Sequence, residues 1–298
     1  MQTRPAIVCA GEILWDVLPG GALPGGAPMN VAVHASNLGA PAALISRIGR
    51  DRWGEDLLAY LASKGVPADW VQTDDALPTG LVQADMRNPA HVVYTIEYPS
   101  AWDAIQWTEA LSELVAAADM LVFGSLASRS EASFLAISRL IDAAKLRVFD
   151  INLRKPHYTR DRIADFLERC HLAKLNDEEL AQLSDWFGLE GDEPEQLQQL
   201  SRQFGLRSVI VTHGGKGAAL LEDGQYYFQP GIEVQVQDTI GCGDSFLAAF
   251  LAQTLAGTPA QERLRYAAAT GALVATYAGA TPLIRDADIR ALMAQMAS

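Results

Sequence analysis

The stretch from Val236 to Ala249 has the residue types and spacing best suited to chemistry. Gly241 and Gly243 permit a tight turn and leave room for a ligand beside the main chain. Asp244 is a residue type that begins helices, and an apolar run follows it. The free N–H groups of a helix N-terminus attract phosphate, so a phosphoryl group could bind at this turn. Asp244 would then lie beside it and could take a proton from a hydroxyl that attacks the phosphorus. The same pattern would also fit an ordinary capped helix after a glycine loop.

The composition excludes several classes of function. The chain has 298 residues, a formal net charge of −13 and 49% hydrophobic residues. This balance is typical of a globular protein and argues against binding to nucleic acid or to an acidic membrane surface. We see neither a signal-peptide pattern nor an apolar run near ~20 residues. Because Cys9, Cys170 and Cys242 are far apart and odd in number, we expect a reduced, cytoplasmic setting.

From Asp119 onward, apolar strand-like segments alternate with helical ones. Such alternation predicts an α/β fold with a mostly parallel sheet and helices on both faces. Ligands of such sheets bind at the carboxyl ends of the strands. Three polar motifs fall at predicted strand ends: Phe149 to Arg154, Lys174 to Glu179, and Val211 to Gly217.

Two signatures resemble those of the ribokinase-like (PfkB) carbohydrate kinases. The first is D-T-x-G-x-G-D at 238–244, with Cys242 where the family more often has Ala. The second is G-G-A-P-x-N-V-A followed by I-S-R-I-G-x-D-x-W-G, starting at Gly25. The resemblance spans roughly residues 6–290. It implies one ribokinase-like domain over 1–298, a three-layer fold with a small β lid from about 12–26 and 78–100.

The resemblance also implies a sugar site. In the family an early Asp, a Gly-Gly pair and an Asn bind sugar hydroxyls, which here are Asp16, Gly25, Gly26 and Asn30. Carboxylate, amide and backbone N–H groups do suit the donors and acceptors of a polyol. Ordinary roles, an Asx turn at Asp16 and a helix cap at Asn30, are the alternative. Three further candidate sugar contacts, each more often a plain sheet or surface residue, are Gln83, Glu97 and Trp102.

For the nucleotide and its metal, the resemblance implies ATP and Mg²⁺. The T-x-G-x-x-G loop with Thr212, Gly214 and Gly217 resembles the ATP loop of the family, and Lys174 is grouped with it. The N-x-x-E motif assigns Asn176 and Glu179 to a magnesium–phosphate site, acting through water, although Glu179 would also suit a helix cap. A Walker A motif is lacking from the sequence, and Ala268 stands where the family often has an Asn that brackets adenine.

The remaining family roles concern the reacting phosphoryl group and a monovalent cation. Asn152 and Arg154 belong to a D-x-N-x-R pattern found in branches acting on 2-keto sugars and fructose, and Arg154 could bridge the phosphoryl group. The N–H groups of Gly241, Cys242 and Gly243 would hold its developing charge. In some members a loop like Gly279-Ala280 holds K⁺ together with counterparts of Asp238 and the carbonyl of Ile240.

The whole pattern looks most like bacterial fructokinases, so fructose is the expected sugar. Kinases for ribose, 2-keto-3-deoxygluconate or nucleosides share the frame and stay open. A sugar-binding regulator without catalysis is the alternative from another class, and the resemblance suggests a homodimer formed through the lid.

Overall fold

The computed structural model describes residues 4–18, 20–85 and 93–295. Its strands are β1 (Ile7–Ala10), β2 (Leu14–Leu18), β3 (Gly21–Gly25), β4 (Ala42–Gly49), β5 (Val71–Asp74), β6 (Gly80–Asp85), β7 (Val93–Ile96), β8 (Met120–Gly124), β9 (Leu146–Asp150), β10 (Leu172–Asn176), β11 (Ser208–Thr212), β12 (Gly217–Glu222) and β13 (Gln225–Pro230). Its helices are α1 (Ala27–Asn37), α2 (Arg52–Ser63), α3 (Glu109–Ala117), α4 (Glu131–Ala143), α5 (Arg160–Arg169), α6 (Asp177–Phe187), α7 (Glu193–Phe204), α8 (Cys242–Leu255), α9 (Ala260–Val274) and α10 (Asp286–Gln295).

The main sheet has the strand order β13-β12-β11-β10-β9-β8-β1-β4-β5 among the described residues. Pairing is parallel from β5 through to β11, and β12 pairs antiparallel with both of its neighbours. Every residue of β1 and β8 is buried, as expected for strands covered on both faces. The predicted mostly parallel sheet is confirmed.

Helices cover both faces of this sheet and bury one apolar cluster on each. One cluster packs α3, α4, α5, α6 and α7 against the sheet, with Phe166 at its centre. The other packs α1, α2, α8, α9 and α10, with Phe250 among its fully buried side chains. Each buried Leu, Ile or Phe contributes about 1.5–3 kcal/mol to the free energy of unfolding. The three-layer arrangement therefore follows from the apolar stripes of the helices.

A separate four-stranded sheet, which we call the small sheet, has the order β3-β2-β6-β7. β2 pairs antiparallel with β3 and parallel with β6, and β6 pairs antiparallel with β7. These strands come from the two stretches predicted to form the lid. The turn predicted around Asn88 lies outside the described residues.

One local prediction needs correction. The sequence predicts a short strand at Tyr226–Phe228 that could pair with 233–236 in a hairpin, but this segment lies in β13 and pairs with β12. The acidic segment 190–199, expected as a solvated connection or a helix face, contains the start of α7 at a capping box between Asp192 and Glu195. Among the helices described, none is long and apolar enough to cross a membrane.

Candidate active site

The turn before α8 has the geometry that the glycine spacing predicts. Gly241 is the N-cap of α8 with φ 76°, and a Cβ there would lie 2.3 Å from the Ala280 carbonyl oxygen. Only glycine fits such a position without strain. The Cys242 N–H donates a long hydrogen bond of 3.4 Å to the Thr239 carbonyl. This amide, one of the three predicted to hold the anion, therefore already has a weak partner within the turn. A helix start of this kind still presents N–H groups toward an anion.

Asp244 lies in the first turn of α8 and is partly buried. The Asn30 Nδ2 group of α1 donates a hydrogen bond of 2.8 Å to Asp244 Oδ2. Burial raises the pKa of Asp244, while Lys174, Asn30 and Arg154 act in the opposite direction. A carboxylate with one oxygen oriented by an amide and a raised pKa is suited to accept a proton. The alternative role as a helix cap does not apply, because the N-cap of α8 is Gly241 and no side chain caps it.

Lys174 brings a buried positive charge to the same turn. A Cβ at Gly243 would lie 3.0 Å from Lys174 Nζ, so the ammonium adjoins the start of α8. Lys174 Nζ also donates to both oxygens of Asp150, at 3.1 and 3.3 Å. Burial opposes the ammonium, but the carboxylates of Asp150, Asp244 and Glu179 together raise the pKa of Lys174. Lys174 therefore stays charged beside the place where a phosphoryl group would lie.

Tight glycine packing shapes the region predicted to bind sugar. A Cβ at Gly25 would lie 2.4 Å from Asp16 Oδ2, and one at Gly26 would lie 2.5 Å from the Glu12 carbonyl oxygen. Burial raises the pKa of Asp16, and Arg154 lowers it. The structure thus brings Asp16, Gly25 and Gly26 together, and Asn30 lies one turn into the following helix.

Arg154 lies in the exposed loop after β9, where Asn152 has a positive φ of 41°. The positive charge of Arg154 acts on four nearby carboxylates and lowers the pKa of each: Glu12, Asp16, Asp150 and Asp244. An exposed guanidinium at such a place can meet an anionic group without breaking a buried ion pair.

A cavity of about 610 Å³ adjoins the turn at the start of α8. Thr212, Gly214 and Gly217 line it, as does Gly243 at the start of α8. Its far wall is apolar and is formed by Val234, Val236, Phe246, Ala268, Ala272 and Ala275. An apolar cleft that ends at a helix N-terminus suits a planar base linked to phosphates.

Asn176 and Glu179 form a capping box at the start of α6, so the alternative structural role is real. Asn176 Oδ1 accepts from the Glu179 N–H at 2.8 Å, and Glu179 Oε2 accepts from the Asn176 N–H at 2.9 Å. Glu179 Oε1 accepts from the Leu153 N–H at 2.7 Å. Within the described parts of the chain, no group of three or more His, Cys, Asp or Glu could enclose a metal ion.

The residues predicted to hold a monovalent cation lie together. Asp238 Oδ1 accepts from the Ile240 N–H at 3.0 Å, and Asp238 Oδ2 accepts from the Gly279 N–H at 3.1 Å. Asp238 therefore joins the turn before α8 to the 279–281 segment by direct hydrogen bonds.

Three predicted sugar contacts require correction. Trp102 is fully buried in the core, so its ring cannot meet a sugar. In the small sheet, Gln83 is opposite Val17, whereas Asp16 is opposite Val82. Successive side chains of a strand point to opposite faces, so Gln83 lies on the face away from Asp16. Glu97 hydrogen-bonds Gln83 and shares that face.

Glu12 is the site residue that the sequence argument missed. It lies two residues after the end of β1, and it is 2% exposed. Its position as a carboxylate at the carboxyl end of a buried strand was the available signal, because polar groups there commonly face ligands.

Comparison with known proteins finds similarity over most of the chain. The model of the pfkB family of carbohydrate kinases matches residues 21–287. A probable fructokinase-5 of Arabidopsis thaliana is 30% identical, covering 98% of each chain. A 2-dehydro-3-deoxygluconokinase of Thermoproteus tenax is 28% identical, over 88% of this chain and 83% of its own length. The crystal structure of a Xylella fastidiosa fructokinase with bound ATP superposes with a TM-score of 0.82 at 24% identity, covering 98% and 99% of the two chains.

Proposed function

This chain belongs to the pfkB family of carbohydrate kinases and has the ribokinase fold, and we propose that it transfers the γ-phosphate of ATP to a primary hydroxyl of fructose. The observation that carries this proposal is the place of Asp244. It follows Gly243, which lines the 610 Å³ cavity, and it accepts a hydrogen bond from Asn30, four residues after Gly26. The charge of the buried Lys174 acts on it.

In the proposed reaction the cavity holds ATP and Asp16, Gly25, Gly26 and Asn30 hold the sugar. The sugar oxygen forms a bond to the γ-phosphorus, the bond from that phosphorus to the β–γ bridging oxygen breaks, and ADP leaves. Asp244 accepts the hydroxyl proton. The N–H groups of Gly241 and Gly243 and the Lys174 ammonium stabilise the negative charge of the transferring group.

A hydrated Mg²⁺ fits the donors near the phosphates. Both Glu179 oxygens accept backbone N–H groups, and each keeps a second lone pair that can accept from a water. Magnesium keeps several waters and binds phosphate oxygens, so Asn176 and Glu179 would hold it through water. When bound, the ion would neutralise charge on the β- and γ-phosphates.

The relatives leave fructose and 2-keto-3-deoxy sugar acids as candidate substrates, because a fructokinase, a 2-dehydro-3-deoxygluconokinase and a 2-dehydro-3-deoxygalactonokinase match at similar identity. Arg154 favours the second candidate, a 2-keto-3-deoxy sugar acid, because its exposed guanidinium is near Asp16 and could pair with a carboxylate. Ribose and a nucleoside complete the panel of substrates to be tested.

The deciding experiment measures ADP release from MgATP with fructose, 2-keto-3-deoxygluconate, ribose, adenosine or no sugar. ADP release that depends on fructose supports the proposal. ADP release only with 2-keto-3-deoxygluconate would show that the sugar acid, the second candidate, is the substrate. Sugar binding by calorimetry without ADP release would instead support a non-catalytic regulator.

The physical setting is also a proposal. We place the protein in the cytoplasm because Cys9 and Cys170 are buried free thiols and Cys242 is a partly buried one.

We also propose a homodimer formed through the small sheet, which light scattering would test. A K⁺ requirement at Asp238 is a further proposal, tested by activity assays in Na⁺ and K⁺ buffers.

A further inference from the structure

Glu12 joins two elements of the site. From the end of β1, its Oε1 accepts a hydrogen bond of 3.3 Å from the Ala27 N–H, the first residue of α1. Among the described residues, no group donates a hydrogen bond to its Oε2. The side chain is thus a buried carboxylate directed at a helix N-terminus.

The helix that receives this carboxylate cannot cap itself. Its N-cap is Gly26, which has no side chain, and the first turn of α1 has no acidic residue. A capping residue cannot replace Gly26, because φ is 111° there and a Cβ would lie 2.5 Å from the Glu12 carbonyl oxygen. By contrast, α2 and α7 begin at their own capping carboxylates, Asp51 and Asp192.

The capped helix carries a residue that orients the proposed catalytic base. Asn30 lies in the first turn of α1 and donates to Asp244 Oδ2 at 2.8 Å. Any displacement of this turn would move Gly26 and Asn30 together. Small displacements of this kind cost reaction rate, because transfer requires the reacting groups to be aligned.

Keeping a carboxylate at such a place has an energetic cost. Burial raises the pKa of Glu12 to about 7, with Arg154 and the Ala27 N–H acting against the rise and Asp244 adding to it. A buried carboxylate with one unpaired oxygen lowers the stability of a fold, and perturbed carboxylates of this kind cluster at functional sites. The bond from Ala27 does not depend on the charge, because Oε1 can accept it whether or not Glu12 is protonated.

We propose that Glu12 is a positioning residue for the phosphoryl transfer: it holds the first turn of α1, so that Gly26 meets the sugar and Asn30 orients Asp244. This inference rests on the proposed function for its kinetic part. Its structural part, the ordering of α1 by Glu12, is independent of any reaction.

The kinetic test compares Glu12→Ala with Glu12→Gln, which keeps an acceptor oxygen. We expect Glu12→Ala to raise KM for the sugar and lower kcat, each by about tenfold or more, with KM for ATP little changed. Glu12→Gln should restore most of the activity. Asp192→Ala is the matched control, because it removes the cap of α7, which contributes no residue to the site.

The structural test measures hydrogen exchange of peptides covering residues 26–33 without substrate. We expect faster exchange there in Glu12→Ala and near-normal exchange in Glu12→Gln. Unchanged exchange and unchanged sugar KM in folded Glu12→Ala would overturn the inference, as would an equal rise in KM for ATP. If no sugar is phosphorylated but exchange behaves as expected, the proposed function and the kinetic part of the inference fail, and only the ordering of α1 by Glu12 stands.

Discussion

The turn before α8 and the small sheet contrast in how the sequence determines them. At the turn, Gly241 and Gly243 lie at the predicted start of α8 and Asp244 lies in its first turn, as a motif of residues adjacent in the chain predicts. In the small sheet, Gln83 and Glu97 lie on a face that depends on pairing between strands distant in sequence. A local motif can therefore predict a catalytic residue from the sequence. The face of a sheet on which a side chain lies can be predicted only when the pairing register of its strands is known.

The two regions should also differ in what a substitution changes. In the proposed mechanism the turn acts on the step in which the phosphoryl group moves, so changes there should affect kcat. In the same proposal the small sheet holds the sugar, so changes on its inner face should affect KM for the sugar.

The largest expected effect is that of Asp244→Asn, which removes the proton acceptor but keeps its size. A positioned base contributes about 10²–10⁴-fold, so kcat should fall by that factor while sugar binding measured by calorimetry stays similar. Asp185→Asn, at an exposed position of α6, is the control. A kcat near wild type in Asp244→Asn would remove Asp244 from the mechanism.

A smaller effect is expected from Gly25→Ala in the small sheet. The new Cβ would lie 2.4 Å from Asp16 Oδ2 and would displace that carboxylate. A displacement of about 1 Å can cost about 10²-fold, here mostly as a higher KM for the sugar. Gly20→Ala is a matched control from the same hairpin, because nothing lies within 4 Å of its Cβ. Equal kinetics for the two variants would contradict a sugar site at Asp16.

The sequence predicted the fold well because its main determinants are periodic and local. The apolar segments that became β8 and β9 and the small-residue pattern of α1 are each short and continuous. The strand β12 was missed, since Gly217 and Ala218 carry few strand-forming features. Its pairing with β11 supplies what local propensity lacks.

Part of the candidate site was also predicted from the sequence, because that part consists of local motifs. The glycines and Asp244 form motifs, whereas the pairing of Lys174 with Asp150 joins two strands and has no local signal. Glu12 acts on Ala27, fifteen residues away, and its burial is visible only in the folded chain. Trp102 was misplaced because an aromatic residue near the small sheet can equally well fill the core.

A modest effect on stability is expected at Glu12. Its pKa in the folded chain is about 7 because of burial, against an ordinary value of 4.5. Between these pH values the folded chain keeps a proton that the unfolded chain loses, so the free energy of unfolding falls as pH rises from 4.5 to 7. Glu12→Gln removes this loss, which is at most about 3 kcal/mol.

The measurement is the difference in Tm between Glu12→Gln and wild type at several pH values. The difference should become more positive between pH 4.5 and 7 and stay constant above. Glu55→Gln, at an exposed position of α2, is the control variant measured in parallel. A flat difference for Glu12→Gln would mean that Glu12 titrates at its ordinary pKa.

The smallest kinetic effect is expected from Gln83→Ala and Glu97→Ala, and it sharpens the contrast within the small sheet itself. Both side chains lie on the face away from Asp16, so KM for the sugar and kcat should stay near wild type. Their mutual hydrogen bond is at the surface, so its loss should lower the free energy of unfolding by about 1 kcal/mol or less. Asp16→Asn, one residue before the partner of Gln83, should instead raise KM for the sugar strongly. A raised sugar KM in Gln83→Ala would show that the sheet rearranges around the substrate, because the register alone keeps this side chain away from it.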